Sequence, residues 1–183
     1  GSGLGSASAN SASLINFFNE QFRLKINEKK IIKIANKIGS DVQLSLDCKN
    51  SFVTGKDNQI LRIKKKFKLN LLIVYPNILC QTKKIFSKKV KCSRLMFFKL
   101  KSINTNRSLI NFLKKEKNDL QPIVFKNFPK VKTLCKKIAL QKGCYFSRIT
   151  GSGSACIGIF STINYAKLAK KNLHKIYPKY WYE

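Results

Sequence analysis

The first part of the chain places apolar residues at helical spacing after a loop of small residues. The apolar positions are Leu14, Ile15, Phe17, Phe18 and Phe22. Their recurrence every three or four positions predicts a helix over 7–24. A second apolar face is formed by Ile31, Ile34, Ala35 and Ile38. This face predicts another helix, with Asn27 as its N-cap and Gly39 at its end.

Strand patterns follow these two helices. Apolar and polar residues alternate over 42–46, which predicts a strand. The apolar members of this pattern are Val42, Leu44 and Leu46. Apolar pairs on both sides of the turn residues 55–58 predict a hairpin over 52–61. The apolar segment 69–75 predicts a buried strand that Pro76 ends.

The middle of the chain is basic and only weakly patterned. A short helix is expected over 82–90, and within residues 91–118 we expect a helix near 109–117. Stronger periodicity predicts a longer helix over 129–142, with Gly143 as its stop signal.

The end of the chain predicts two strands, 145–149 and 156–160, joined by a glycine-rich turn over 151–154. A helix over 165–174 follows, and the aromatic tail 177–182 is expected to form a last strand. No internal repeat is visible. Strands and helices in this mixed order indicate an α+β fold rather than an alternating parallel one.

The net charge of the chain bears on the kind of partner that it could bind. Lys and Arg number 37 against 8 Asp and Glu, which gives a formal net charge of +29 at pH 7. Such an excess attracts polyanions and phosphorylated ligands. However, 32 of the cations are Lys spread along the chain, and only five are Arg, the residue favoured for base readout. Because Lys, Ile, Asn and Phe all have A/T-rich codons, we favour compositional drift over a functional basic surface.

The sequence disfavours two classes of protein, those with a zinc site and those that span a membrane. The six cysteines form no C-x-x-C pair and His174 is the single histidine, so a zinc site is not expected. The cysteines mostly have apolar neighbours, which indicates buried free thiols in a reducing compartment. His174 itself is expected to lie at the surface or to pack. The chain has no apolar run of the roughly 20 residues that span a membrane, and no secretory signal.

The opening segment, residues 1–10, is the first candidate for chemistry. Three glycines precede the start of a predicted helix. Backbone N–H groups and the positive end of a helix dipole together form an anion site. A flexible linker is the alternative interpretation.

Two further candidates lie in turns. Asp41 follows a predicted helix end and is either a general base for a hydroxyl group or a turn cap. The glycine-rich turn over 150–155 either allows a ligand close to the backbone or simply joins two strands.

Together the three segments resemble the GHMP kinase superfamily, and within it the family of 4-diphosphocytidyl-2-C-methyl-D-erythritol kinases. That family carries a G-L-G-G-G-S-S-N-A-A phosphate loop, then a G-[AS]-D-V segment and a late T-G-[ST]-G-[SA] loop. The matching positions here are 3–12, 39–42 and 150–155. Residues 74–86 are similar to the family's Pro-containing strand and Thr-led helix.

The resemblance implies a two-domain GHMP kinase fold. Residues 1–68 would be the remainder of the ATP-binding amino-terminal domain, and residues 69–183 the ferredoxin-like α/β carboxyl-terminal domain. An upstream segment would supply the catalytic Lys and the residues that bind the cytidine. The protein would be cytoplasmic, in a bacterial cytosol or the stroma of a plastid-type organelle. It would be a monomer or weak homodimer, and neither membrane nor nucleic acid is expected as a partner.

The resemblance also implies a reaction, in which ATP phosphorylates the 2-hydroxyl of 4-diphosphocytidyl-2-C-methyl-D-erythritol. This is a step of the non-mevalonate (MEP) pathway of isoprenoid, or terpenoid, biosynthesis. Asp41 would take or orient the hydroxyl proton. ATP with Mg²⁺ would lie against Gly1, Ser2, Gly3, Leu4, Gly5, Ser6, Ala7, Ser8, Ala9 and Asn10. The expected substrate-binding residues are Thr82, Gly151, Ser152, Gly153 and Ser154. No residue is assigned as a metal ligand.

The sequence departs from the family pattern at several positions. Ser6 and Ala7 stand where the family usually has Gly-Gly, Ala9 replaces the usual Ser, and Gln43 replaces the common Pro. These changes add Cβ atoms and remove a hydroxyl group near the phosphates. Two alternatives therefore stay open: another GHMP kinase, of the mevalonate or homoserine type, and a non-enzymatic basic protein that binds nucleic acid.

Overall fold

The computed structural model divides the chain into two compact units. It describes residues 2–47, 49–54, 59–81, 85, 87 and 103–183. The helical unit comprises residues 5–66, and the sheet unit comprises residues 1–4 with 67–183. The predicted functional domains, 1–68 and 69–183, stay a prediction.

Two of the helices in the helical unit are the predicted ones. Helix α1 spans Ser6–Gln21 and helix α2 spans Glu28–Ile38. The backbone N–H of Lys30 donates to Oδ1 of Asn27 at 3.0 Å, which confirms the expected N-cap. After α1, Arg23 adopts the left-handed conformation with φ 48°, so the helix ends before the predicted residue 24.

The strand predicted over 42–46 is wrong, because this segment forms helix α3, Ser40–Ser45. Alternation also places Val42 and Leu46 four residues apart, and that spacing puts them on one face of a helix. Val42 is 2% exposed and packs with Ala12 and Ala35, while Leu46 packs against the same cluster. The short segment fits both the two-residue repeat of a strand and the repeat of a helix. Burial of Val42 against α1 and α2 therefore selected the helix.

A two-stranded hairpin completes the helical unit. Strands β1, Ser51–Thr54, and β2, Gln59–Arg62, pair antiparallel as predicted. The predicted turn, 55–58, lies outside the described residues. The guanidinium of Arg62 donates to the carbonyl oxygens of Gln43 at 3.3 Å and Leu44 at 3.2 Å, so it ties the hairpin to α3.

The sheet unit is built on four strands, β3 (Asn70–Tyr75), β4 (Cys144–Ile149), β5 (Cys156–Phe160) and β6 (Trp181–Tyr182). They pair antiparallel in the order β4-β5-β3-β6. The first three confirm the predicted strands. Only the last two residues of the predicted tail strand pair with the sheet.

Helices connect these strands in a ferredoxin-like order. The helices are α4 (Asn106–Lys115), α5 (Gln121–Asn127), α6 (Pro129–Ala139) and α7 (Ile163–Ile176). Sequence patterns predicted α4, α6 and α7 and missed α5. The helix predicted over 82–90 lies almost entirely outside the described residues.

Helices α6 and α7 contact each other and cover one face of the sheet. The core between them consists of large apolar side chains at most 1% exposed: Leu72, Val74, Leu134, Ile138, Ile149, Phe160 and Leu173. Cys80, Cys135 and Cys156 are also buried there as free thiols, in agreement with their expected role as small hydrophobic residues.

The hydroxyl of Tyr182 holds the end of the chain to α7. It lies 3.0 Å from the carbonyl oxygens of both Leu173 and Tyr177, and the residue is 8% exposed. Burial, with a smaller effect of Tyr180, raises the pKa of Tyr182 to about 12. The folded protein therefore keeps this proton at pH values where the unfolded chain loses it.

We expect this hydroxyl to make folding stability fall as pH rises from 10 through 12. The native pKa lies above the unfolded value, so the stabilisation is complete below pH 10 and is lost above 12. The slope should reach at most about 1.4 kcal/mol per pH unit. Urea unfolding of the parent and Tyr182→Phe across this range measures the difference. Exposed Tyr145→Phe is the matched control, and equal slopes in all three proteins would contradict the prediction.

Candidate active site

The glycine-rich opening segment passes from the sheet unit to the helical unit between Leu4 and Gly5. Gly3 and Gly5 both adopt positive φ, 78° and 70°, and Gly5 is the N-cap residue of α1. Residues 2–4 thus belong to the sheet unit, whereas the remainder of the segment begins the first helix of the helical unit.

Within the sheet unit, residues 2–3 lie against the late glycine-rich loop, residues 150–155. We call this contact the clasp. The hydroxyl of Thr150 donates to the carbonyl oxygen of Gly3 at 3.1 Å, and the N–H of Ala155 donates to the carbonyl oxygen of Ser2 at 2.9 Å. A Cβ atom on Gly3 would collide with the carbonyl oxygen of Thr150 and lie 3.0 Å from the backbone N of Gly153. The structure therefore brings together two of the three segments that the sequence singled out.

The late loop is held mainly through its own backbone and the protein interior. The N–H of Thr150 donates to the carbonyl oxygen of Ala155 at 3.0 Å. The N–H of Gly153 donates to the carbonyl oxygen of Thr150 at 2.9 Å. Ser154 is fully buried, and its hydroxyl donates to the carbonyl oxygen of Ile78. The hydroxyl of Ser154 is thus committed to the protein itself.

The N-terminus of α1 fits an anion such as a phosphate. No side chain caps the helix, and its first turn contains no acidic residue. The N–H groups of a first helical turn have no partner within the helix, and the dipole adds positive charge there. These features are compatible with an anion at this helix start, and the anion site expected from the opening segment stays a prediction.

Asp41 lies in the first turn of α3 and is exposed. No side chain caps this helix, so Asp41 does not act as the turn cap considered above. Among the residues with described positions, no hydrogen bond or ion pair engages its carboxylate. A negative charge in a first helical turn is favourable, and the role of Asp41 as a general base stays a prediction.

Helix α3 runs beside α1 in the same direction. Val42 packs with Ala12, and one turn later the side chain of Asn16 donates to the carbonyl oxygen of Leu46 at 3.3 Å. Asp41 therefore belongs to the end of α3 that lies beside the amino-terminal half of α1. At 1.5 Å per residue, Ala12 lies about 9 Å along the axis from the first residue of α1.

The remaining predicted site residues are placed as follows. Asn10 is exposed on α1. Gly1 and Thr82 lie outside the described residues. His174 is exposed, and its ring packs edge-on against Tyr182 at a centroid distance of 5.4 Å, which confirms the expected surface or packing role.

A cavity of about 470 Å³ lies at the end of α4, the start of α5 and the face of β4 that carries Phe146 and Arg148. The guanidinium of Arg148 donates to the carbonyl oxygens of Leu113 at 2.8 Å and Glu116 at 2.9 Å. Burial lowers the pKa of Arg148, and the nearby Glu116 partly opposes this effect. Arg148 therefore stabilises the C-terminal turn of α4, and its hydrogen bonds go to this turn.

The described part of the chain offers neither a metal cluster nor a membrane-spanning helix. It contains no group of three or more His, Cys, Asp or Glu side chains that could hold a metal ion. Its helices are too short or too polar to cross a membrane.

Family models match both parts of the chain. The model described as GHMP kinases N terminal domain matches residues 1–52, and the model described as GHMP kinases C terminal matches residues 98–179. A relative from Wolbachia pipientis, 4-diphosphocytidyl-2-C-methyl-D-erythritol kinase, is 33% identical over 183 residues. This match covers 98% of the present chain and 62% of the relative, so the chain spans about three fifths of the length of such relatives.

Solved structures share the fold. A crystal structure of 4-(cytidine 5'-diphospho)-2C-methyl-D-erythritol kinase matches with a TM-score of 0.75 at 19% identity, over 100% of this chain and 65% of that one. Homoserine kinase from Cytophaga hutchinsonii matches with a TM-score of 0.63 at 16% identity, over 100% of this chain and 64% of that one. The α+β fold expected from the sequence is thereby confirmed.

Proposed function

Because this chain belongs to the GHMP kinases, we propose that it is part of an enzyme that phosphorylates the 2-hydroxyl of 4-diphosphocytidyl-2-C-methyl-D-erythritol with ATP. This reaction is a step of the non-mevalonate route to isoprenoids. The observation that carries the proposal is the 33% identity to a kinase of that name over almost the whole chain. The clasp supports it, since it uses the same two glycine-rich segments on which the resemblance depends.

In this proposal the opening segment and the start of α1 hold the phosphates of ATP. Backbone N–H groups and the helix dipole supply positive charge without a reorganisation step. Residues 2–3 are kept in place by the late loop, through the hydroxyl of Thr150 and the N–H of Ala155. Phosphoryl transfer depends mainly on such positioning and charge neutralisation.

Asp41 is the proposed group that accepts or orients the proton of the attacking hydroxyl. Its carboxylate is exposed in the first turn of α3, on the end of that helix that lies beside the first half of α1. The late loop residues 151–154 would contribute to the substrate side.

Mg²⁺ would accompany the ATP phosphates and neutralise their charge. This ion usually binds one or two carboxylates together with phosphate oxygens and water, so a three-ligand protein cluster is not required. The net charge of +29 favours the approach of two polyanionic substrates. The partner in this proposal is a small molecule.

The direct test is phosphoryl transfer from Mg·ATP to 4-diphosphocytidyl-2-C-methyl-D-erythritol. We would assay the present chain and a version extended by its natural upstream residues. Mevalonate and homoserine serve as competing acceptors. We expect the cytidine-containing acceptor to be phosphorylated at the highest kcat/KM by the extended version. Preference for either other acceptor would replace the proposed substrate, and absence of transfer to all three would overturn the proposed function.

A further inference from the structure

The side chain of Asn118 is bonded entirely to backbone groups around the late loop. Its Nδ2 donates to the carbonyl oxygen of Gly151 at 2.8 Å and to that of Ile149 at 3.3 Å. Its Oδ1 accepts from the N–H of Leu120 at 2.9 Å. An amide can satisfy both kinds of backbone group at once, whereas a carboxylate or a hydroxyl cannot reproduce this pattern.

One residue of the loop separates Asn118 from the clasp. Gly151 is bonded to Asn118 through its carbonyl oxygen, and a Cβ atom on Gly151 would lie 3.0 Å from the carbonyl oxygen of Gly3. The backbone of Gly151 is thus held from one side by the Asn118 amide and contacts the opening segment on the other. A shift of this residue would be transmitted directly to Gly3.

A second side chain from the same turn fixes the start of the loop. Oε1 of Gln121 accepts from the N–H of Ile149 at 3.1 Å, while Asn118 contacts the carbonyl oxygen of this residue. The N–H and the carbonyl group of Ile149, the last residue of β4, are therefore both bonded to side chains: the N–H to Gln121, the first residue of α5, and the carbonyl to Asn118, which precedes this helix. Ile149 is 1% exposed, so water cannot easily replace these bonds.

We propose that Asn118 is a positioning residue for the active site, which acts by holding Gly151 and thereby the clasp. The inference rests on the proposed function and goes beyond it, because no motif of the sequence singled out residue 118. Asn118 touches neither substrate in this account. It sets the position of the loop that retains residues 2–3.

The experiment compares three variants. Asn118→Ala removes all the bonds of the side chain. Asn118→Asp keeps an acceptor for the N–H of Leu120 but loses the donor to Gly151. It therefore tests the bond to the late loop separately from the bond to Leu120. Asn70→Ala is the matched control, because Nδ2 of Asn70 also bridges two carbonyl oxygens, those of Phe160 at 3.4 Å and Ser161 at 3.3 Å, at the end of β5 opposite to the late loop.

Amide hydrogen exchange on the present chain is the first readout, since it needs no turnover. Loss of one such bond should speed exchange of the Gly153 and Ala155 amides roughly three- to tenfold in both Asn118 variants. Asn70→Ala should leave these amides unchanged. Unchanged exchange in Asn118→Asp, or an equal change in Asn70→Ala, would overturn the inference.

Kinetics on a version that turns over is the second readout. We expect KM for ATP to rise by roughly three- to tenfold in both Asn118 variants, with kcat changed less, and neither constant to change in Asn70→Ala. A KM that matches the parent in the Asn118 variants would overturn the positioning role. If the parent phosphorylates no acceptor, the proposed function fails by itself, and hydrogen exchange still decides whether Asn118 holds the loop.

Discussion

Replacing Asp41 with Asn is expected to lower kcat by roughly 10²- to 10⁴-fold in a version of the protein that turns over. The amide has the same shape as the carboxylate but cannot accept the proton of the attacking hydroxyl. The side chain is exposed and has no bonded partner in the described part of the chain, so the variant should lose only the small helix-dipole stabilisation and melt within a few degrees of the parent. Steady-state kinetics with both substrates saturating, together with a thermal melt, measures this.

Asp47→Asn is the control for that experiment. Asp47 lies in the same helical unit, but its carboxylate pairs with Lys49 at 2.8 Å, and both side chains are substantially exposed. Such surface pairs contribute little, so kcat should stay within about twofold of the parent. A parental kcat in Asp41→Asn, at saturating ATP and acceptor, would remove Asp41 from the proposed chemistry.

The second large effect is expected from Gly3→Ala. Here φ is 78°, and the new Cβ atom would collide with the carbonyl oxygen of Thr150. Left-handed strain and the backbone collision together cost roughly 2–4 kcal/mol, so we expect residues 2–3 to leave the late loop. Affinity for ATP should then fall on the order of 10²-fold. Calorimetric titration with a non-hydrolysable ATP analogue measures the loss.

Gly5→Ala separates strain from collision. Gly5 has nearly the same φ, 70°, but a Cβ atom there would meet nothing within 4 Å. Only the left-handed strain of about 1–2 kcal/mol applies, which corresponds to roughly a five- to thirtyfold loss of affinity at most. If Gly3→Ala and Gly5→Ala lose affinity for ATP equally, the collision of residue 3 with the late loop does not affect nucleotide binding.

Segments whose local pattern allowed only one structure were predicted correctly. Helix α2 has a four-residue apolar face and an Asn27 cap, and strands β3 and β5 are short apolar runs bounded by turn signals. These signals act between residues close in sequence, so they can be found without the fold. By contrast, the α3 segment fits both periods, and burial of Val42 against α1 and α2 decided for the helix.

The candidate site divides in the same way. The glycine-rich segments and Asp41 form motifs with recognisable residue types and spacing, so the sequence located them. Ser154 appeared as a substrate-side candidate, yet its hydroxyl donates to Ile78, 76 residues away in the chain. Asn118 carried no signal, since its partners Ile149 and Gly151 lie more than 30 residues away.

The sequence by itself determined the family, the class of fold and the three segments in which the proposed chemistry is placed. Each depends on residue type and on spacing along the chain, which short-range backbone geometry converts into helices, strands and glycine turns. Only the tertiary structure decided that Gly3 lies against the late loop and that Asn118 holds this loop from behind. Those contacts join residues far apart in sequence, and their geometry exists only once the sheet has formed.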